Sequence, residues 1–216
     1  MKAITEQKPL EEITSHLERH KKIYIIGCGT CATMCHTGGK SEILAMKEQL
    51  EAAGKEVTGW MVVPTTCDSL TRYALEDEDK AVAAADAILV MTCGFGVQTV
   101  AFYSDKPVYS GLDTLFIGWE ESPGRFLEIC VQCGECVLGL TTGICPVTRC
   151  AKGLLCGPCG GAKEGMCEQA PENDCVWVLI YERLKKVGML DKLTEFVSPK
   201  DYSKMAIPRL TEITLP

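Results

Sequence analysis

No run of apolar residues approaches the roughly 20 needed to cross a bilayer as a helix, so membrane insertion is not expected. Nor is there an excess of Lys and Arg. The 22 basic residues against 29 acidic ones leave a net charge of -7, which excludes a nucleic-acid backbone as partner. The first stretch, MKAITEQKPLEEITSHLERH, lacks the apolar core of a signal peptide, and the expected compartment is a reducing cytoplasm, where thiols persist. Internal repeats and low-complexity segments are missing. So is any side-chain nucleophile–base pair, and the chain is not expected to carry substrate chemistry of its own. Its 216 residues, 46% hydrophobic and 24% charged, suffice for one large or two small globular domains.

What the chain has is cysteine, 14 in all. Nine fall in the 46 residues from Cys130 to Cys175, CVQCGECVLGLTTGICPVTRCAKGLLCGPCGGAKEGMCEQAPENDC. The stretch opens C-x2-C-x2-C at Cys130, Cys133 and Cys136. A Cys-Pro step (Cys145-Pro146) follows, then Cys150, a C-x2-C pair at Cys156 and Cys159, Cys167 and Cys175. Three thiolates at this spacing can curl around one face of a cuboidal iron–sulfur cluster, and the later Cys-Pro is part of the same ligand grammar. The eight residues between Cys136 and Cys145 are a wider gap than bacterial ferredoxins use. In that grammar the cysteine before proline ligates the other cluster, so Cys145 is expected to join the later set. A disulfide-stapled secreted fold suits such close pairs poorly. Structural zinc remains a rival at any one site, because four-cysteine zinc sites also use C-x2-C pairs.

Along the chain, residues 3–20 read as an amphipathic helix with Leu10, Ile13 and Leu17 at helical spacing. His16 and His20 lie four apart on it, without the carboxylate of a zincin motif between them, and read as a solvated face. Residues 22–27 read as a buried strand, 40–53 as a helix stopped by Gly54, and 56–63 as a strand closed by Pro64. Residues 69–85 read as helical, 87–92 as a third strand, 97–103 as a short helix and 107–117 as a fourth strand. Such alternation predicts an α/β fold with a small doubly wound parallel sheet, whose binding sites gather at the strands' carboxyl ends. After it comes a cysteine-rich, loop-dominated iron–sulfur module with a C-terminal helix near residues 176–187 and an extended arm. The predicted division is 1–120, 121–199 and 200–216, with 118–129 as the linker. Met205, Ile207 and Leu210 make the arm apolar enough to seek another surface.

The other five cysteines fall at the predicted strand ends: Cys28, Cys31 and Cys35 after the first, Cys67 after the second, Cys93 after the third. They suggest a further ligand set, and hence a cluster in this domain too. Cys28, Cys31 and Cys35 share one loop, with Cys93 as the expected fourth ligand because Gly94 and Gly96 beside it let the backbone approach closely. Cys67 sits next to Asp68, whose charge would weigh against a negative cluster, and is expected near the site but outside the ligand set. His36 is expected to donate to a sulfur or to face solvent. Gly27, Gly29 and Ala32 also fit the dinucleotide fingerprint G-x-G-x-x-A. Helical periodicity starts only at Ser41, though, and the glycines read better as room for a cluster.

The residues also carry a resemblance. The phrases GICPVTRCAKGLL, GPCGG and CVWVLIYERLK resemble the C-terminal module of the methylenetetrahydrofolate reductase family. GCGTCATMCHTGGK, CGFGVQTV and DTLFIG resemble that family's MetV-type small subunit. The resemblance implies a partner, a flavin-bearing TIM-barrel subunit that reduces methylenetetrahydrofolate to methyltetrahydrofolate, with this chain as its electron-delivery half. The electron donor would be ferredoxin or a larger electron-bifurcating complex. It further implies eight ligands in the cysteine-rich module, Cys130, Cys133, Cys136, Cys145, Cys150, Cys159, Cys167 and Cys175, for two [4Fe–4S] clusters, with Cys156 as the odd one out. The alternative within the same complex is a zinc-binding assembly subunit without redox work, and zinc at one site is compatible with either.

Overall fold

The computed structural model describes residues 2–205 and divides the chain into two compact units, Met1–Leu127 and Glu128–Pro216. The first unit runs β1 (Lys2–Gln7), α1 (Leu10–His16), β2 (Lys22–Cys28), α2 (Cys31–Met34), α3 (Lys40–Ala52), β3 (Glu56–Val63), α4 (Leu70–Asp77), α5 (Asp79–Ala84), β4 (Ala87–Met91), α6 (Gly94–Tyr103), β5 (Val108–Ser110), β6 (Leu112–Ser122) and β7 (Arg125–Glu128). β3, β2, β4 and β5 form a parallel sheet in that order. Alternation along the two central strands fills both its faces. Ile23, Ile25, Leu89 and Met91 pack with Ile13, Leu17, Ile43, Met46 and Leu50 from α1 and α3. Tyr24, Ile26, Ile88 and Val90 pack on the other side with Leu75 and Val100 from α4 and α6. Each fully buried aliphatic chain stabilises by about 1.5–3 kcal/mol. Double-sided burial is why these strands read as unbroken apolar runs.

Between β2 and β4 the order of strands reverses relative to the chain, which makes the gap beyond their carboxyl ends the topological switch point. The backbone approaches itself closely there. Gly38 is buried, and a Cβ at that position would lie 1.9 Å from the Met91 carbonyl oxygen, so only glycine fits.

Four local differences from the sequence reading have physical causes. Residues 2–7 form a strand, not the start of a helix: helical spacing begins at Leu10, after Pro9, and Ala3, Ile4 and Thr5 are buried against β6 in an antiparallel pair. The single strand expected over 107–117 is divided at Gly111. The Gly111 amide donates to Val90 O of the parallel sheet (2.9 Å) and its carbonyl accepts from Lys8 N beside the second sheet (3.0 Å). β6 therefore leaves to join β1 and β7 in that second sheet. The expected linker over 118–129 is the end of β6, a turn at Gly124 with φ of 77°, and β7. The helix over 69–85 is split at Glu78 into α4 and α5.

The second unit is mostly loop. It contains the short α7 (Pro146–Arg149), α8 (Val176–Lys186) and 3-10 turns at Leu190–Thr194 and Tyr202–Lys204. Its small core is the apolar face of α8, where Val176, Trp177, Ile180 and Leu184 pack with Cys175, Ile144, Cys150 and Met189. The Trp177 indole N–H donates to Leu154 O at 3.2 Å. Ile207 and Leu210 of the expected arm lie outside the described residues. Among the described residues no helix is long and apolar enough to cross a membrane.

One side chain in the sheet core breaks the rule of polar satisfaction. The Tyr24 hydroxyl is buried and has no hydrogen-bond partner among the described residues; burial pushes its phenol pKa up. An unsatisfied buried hydroxyl costs about 1–3 kcal/mol. Tyr24→Phe is therefore expected to hold or raise stability by up to about 1 kcal/mol in urea unfolding. A loss of more than about 1 kcal/mol would show that the hydroxyl has a partner.

Candidate metal centres

In the first unit, hydrogen bonds tie the loops after β2 and β3 together, and the loop after β4 packs against them at Thr66. Gly29 N donates to Val63 O (2.8 Å), and the buried Thr66 hydroxyl donates to Gly27 O (3.0 Å). Cys28 is buried at the end of β2 and Cys93 at the N-cap of α6. Cys31 opens α2, half-buried, and Cys67 is exposed. The Cys28 sulfur lies 3.1 Å from the Thr30 hydroxyl. Burial opposes its ionisation, but hydrogen bonds from the Thr30 hydroxyl and from the Thr66 and Thr30 amides together hold the Cys28 thiol below its usual range. Desolvation, and then the negative charge of Cys93, Cys28 and Cys31, push the Cys67 thiol up. Cys28, Cys31, Cys67 and Cys93 thus follow the carboxyl ends of three adjacent strands.

Cys35 is placed differently. Its thiol donates to Ala3 O of β1 at 3.8 Å. His36 is exposed with φ of 53° and closes the single turn of α2. A dinucleotide fingerprint needs a full helix at that point, and four residues do not supply one. His20 Nε2 lies 2.9 Å from the Tyr109 hydroxyl and His16 stacks on the same ring, so both histidines pack on Tyr109 and are not merely a solvated face.

In the second unit, a cavity of about 250 Å³ is lined by Cys150, Cys159, Cys167 and Cys175. Val176, Trp177 and Val178 form its apolar wall, with Arg149, Lys152 and Glu168 also in the lining. Ferredoxin spacing would bring Cys145 here; instead its thiol lies 3.7 Å from the Thr148 hydroxyl. The Gly161 amide donates to Cys159 Sγ at 3.4 Å, and the Cys159 thiol donates to Glu168 at 3.4 Å. Lys152 pairs with Glu168 and holds its carboxyl below the usual carboxylate range, with the Cys159 hydrogen bond the second cause. Cys175 is the N-cap of α8, at the positive end of the helix dipole. Cys156 lies outside this lining. It is exposed, faces a separate hollow of about 40 Å³, and its thiol reaches Val197 O at 4.0 Å.

The opening triplet is held by a strap. The Lys200 side chain, 1% exposed, donates to Glu135 O at 2.6 Å, and Asp201 N donates to Glu135 Oε2 at 2.7 Å. Lys204 pairs with the same carboxylate at 3.5 Å. Gly134, with φ of 78°, lies so close that a Cβ there would be 2.8 Å from Lys204 O. Residues 200–204 therefore lie along the Cys133–Cys136 loop. Sequence reasoning missed this strap, together with Thr30, Thr66, Lys152 and Glu168; the only signal was that several of them adjoin cysteines.

With this geometry in place, the comparisons with known proteins can be stated. Residues 109–203 match the family described as methylene-tetrahydrofolate reductase C terminal. The match covers less than half of the chain and includes the whole cysteine-rich stretch. No curated protein matches the chain. Among solved structures, an ABC transporter substrate-binding protein from Sphaerobacter thermophilus is 20% identical over 48% of this chain and 28% of its own, with a TM-score of 0.36. That likeness is too weak to inform fold or function. Residues 109–203 are thus similar to the C-terminal domain of methylenetetrahydrofolate reductases.

The donor sets fit a soft metal group. Thiolates select zinc, copper(I) or iron–sulfur clusters. A void of about 250 Å³ exceeds the ~150 Å³ cavity that admits benzene, so it suits a group of several heavy atoms better than a single ion. Among the described residues no set of three or more His, Cys, Asp or Glu side chains is already arranged around one ion.

The strap generates a prediction. Glu135→Ala removes both the carboxylate and the contacts of Lys204 and Asp201 with it. Limited proteolysis of the full chain is expected to cut within residues 196–205 several-fold faster, while the first unit stays intact. Unchanged cleavage would show that the Glu135 carboxylate does not hold the segment.

Proposed function

We propose that the chain is the electron-transfer, MetV-type small subunit of a methylenetetrahydrofolate reductase complex. The observation that carries this reading is the cavity lined by four thiols, set inside the segment that matches the reductase C-terminal family. Its lining supports Cys150, Cys159, Cys167 and Cys175 as the ligands of one [4Fe–4S] site. The remaining family-pattern cysteines, Cys130, Cys133, Cys136 and Cys145, form the other. When bound, such clusters accept and release electrons singly. The protein's contribution is the surroundings. Gly161 N–H and the N-terminus of α8 stabilise thiolate charge, Arg149 and Lys152 supply positive charge, and Trp177 and Val176 keep water from the apolar side.

The organic chemistry then belongs to the partner, a flavin-bearing catalytic subunit that reduces methylenetetrahydrofolate to methyltetrahydrofolate. Ferredoxin or a larger electron-bifurcating complex would supply electrons, in the cytoplasm. The apolar arm is assigned to partner docking. Because residues 200–204 belong to the strap, a deletion that tests docking has to begin at residue 206. Deleting 206–216 is expected to weaken co-purification with the flavin subunit and to leave the metal content unchanged. Unchanged co-purification would remove the arm from the interface.

Iron and acid-labile sulfide analysis of the anaerobically purified chain tests the central claim. Cys159→Ala is expected to lose about four irons, one cubane cluster, and Cys156→Ala none. A chain that holds only zinc would overturn the redox reading in favour of the zinc-binding assembly subunit, the second function that four-cysteine sites support.

A further inference from the structure

The first unit's cysteines lie outside the segment matched to the reductase family, and the fold gathers them at the switch point of its parallel sheet. We propose that Cys28, Cys31, Cys67 and Cys93 ligate a further [4Fe–4S] cluster there, with Cys35 outside the ligand set. This rests on the iron–sulfur reading above and changes the ligand choice that sequence spacing suggests.

Three features of the geometry carry it. First, the loops that bear these thiols are one connected piece. Thr66, the residue before Cys67, bonds to Gly27 O beside Cys28, and Thr71 bonds in turn to Thr66 O at 2.8 Å. The first turn of α6, just past Cys93, packs on the same threonine: a Cβ at Gly96 would lie 3.1 Å from Thr66 Cβ. Second, Asp68 does not weigh against Cys67 as a ligand. Its carboxylate accepts from Leu70 N at 3.0 Å and from the Ser69 hydroxyl, capping the start of α4. Third, the Cys35 thiol is directed to the Ala3 carbonyl on β1, a strand of the other sheet.

The sheet edge also favours a polynuclear group over zinc. Zinc at about 2.3 Å from each sulfur would draw all four to within about 4 Å of one another. The ends of β3, β2 and β4 span two strand spacings, about 9–10 Å, which leaves room for a cubane. The buried Cys28 and Cys93 anchor it from the sheet, with the ten-residue α6 directing its positive end there. The exposed Cys67 closes it on the solvent side.

The test uses the full chain, purified anaerobically, with iron and sulfide per chain and low-temperature spin resonance of the dithionite-reduced protein as readouts. Cys67→Ser is expected to remove about four irons and one reduced-cluster signal, while Cys35→Ser retains every iron. Cys67 is exposed, so its replacement does not threaten the fold; circular dichroism verifies this. Iron loss from Cys35→Ser with none from Cys67→Ser would overturn the assignment. Loss from neither, with Cys159→Ala still losing iron, would overturn this site alone and leave the second unit's clusters standing. Zinc released by Cys67→Ser in place of iron would also overturn it. A wild-type chain without iron would overturn both readings.

Discussion

Thiols that are to share one bound group must stand close together, although they repel once ionised. Two unit charges 4 Å apart at a surface-like dielectric oppose each other by about 4 kcal/mol. Several donors in this chain would offset that repulsion. Cys28 is surrounded by hydroxyl and amide donors from Thr30 and Thr66. Cys159 receives the Gly161 amide, with Lys152 paired to the neighbouring Glu168. Cys93 and Cys175, one in each unit, occupy the N-caps of α6 and α8, where unsatisfied amides carry positive potential.

The two units solve the placement problem by different means. In the first, a sheet buried on both faces is rigid, and its switch point separates the paths of the chain that follow β2 and β4. Loops issuing from adjacent strands are brought together without any of them being long. Only glycine fits at position 38, because Met91 of β4 lies directly against it, and this contact holds the cysteine-bearing loop after β2 on the sheet.

In the second unit there is little regular structure to hold anything. One helix, α8, supplies the core, and the cysteines lie in loops that fold against it. Backbone at positive φ recurs there, at Gln132, Gly134, Thr142 and Gly143 among others, and turns the loops sharply. A domain so poor in apolar contacts depends on other ties. The Lys200 and Asp201 contacts to Glu135 are one, and soft-metal ligation by its cysteines would be another. The match to a methylenetetrahydrofolate reductase C-terminal family falls on this unit and the end of the first.

Much of this was determined by the sequence alone. The parallel strands are legible because double-sided burial leaves continuous apolar runs, and β3 occupies the very residues, 56–63, that its pattern indicates. The cysteine spacing marks the candidate ligands, since thiols so numerous and so paired serve metals far more often than packing. What local pattern could not decide was everything that depends on a distant partner. Residues 2–7 become a strand because β6 offers an edge, and Gly111 divides a run of strand formers because it bonds to two sheets at once. Whether Cys35 or Cys67 faces the other thiols depends on how one turn of helix is aimed and where Asp68 finds its donors. Which cysteines line one cavity depends on how loops without periodicity fold around α8. Spacing limits which thiols can meet, and only tertiary packing selects those that do.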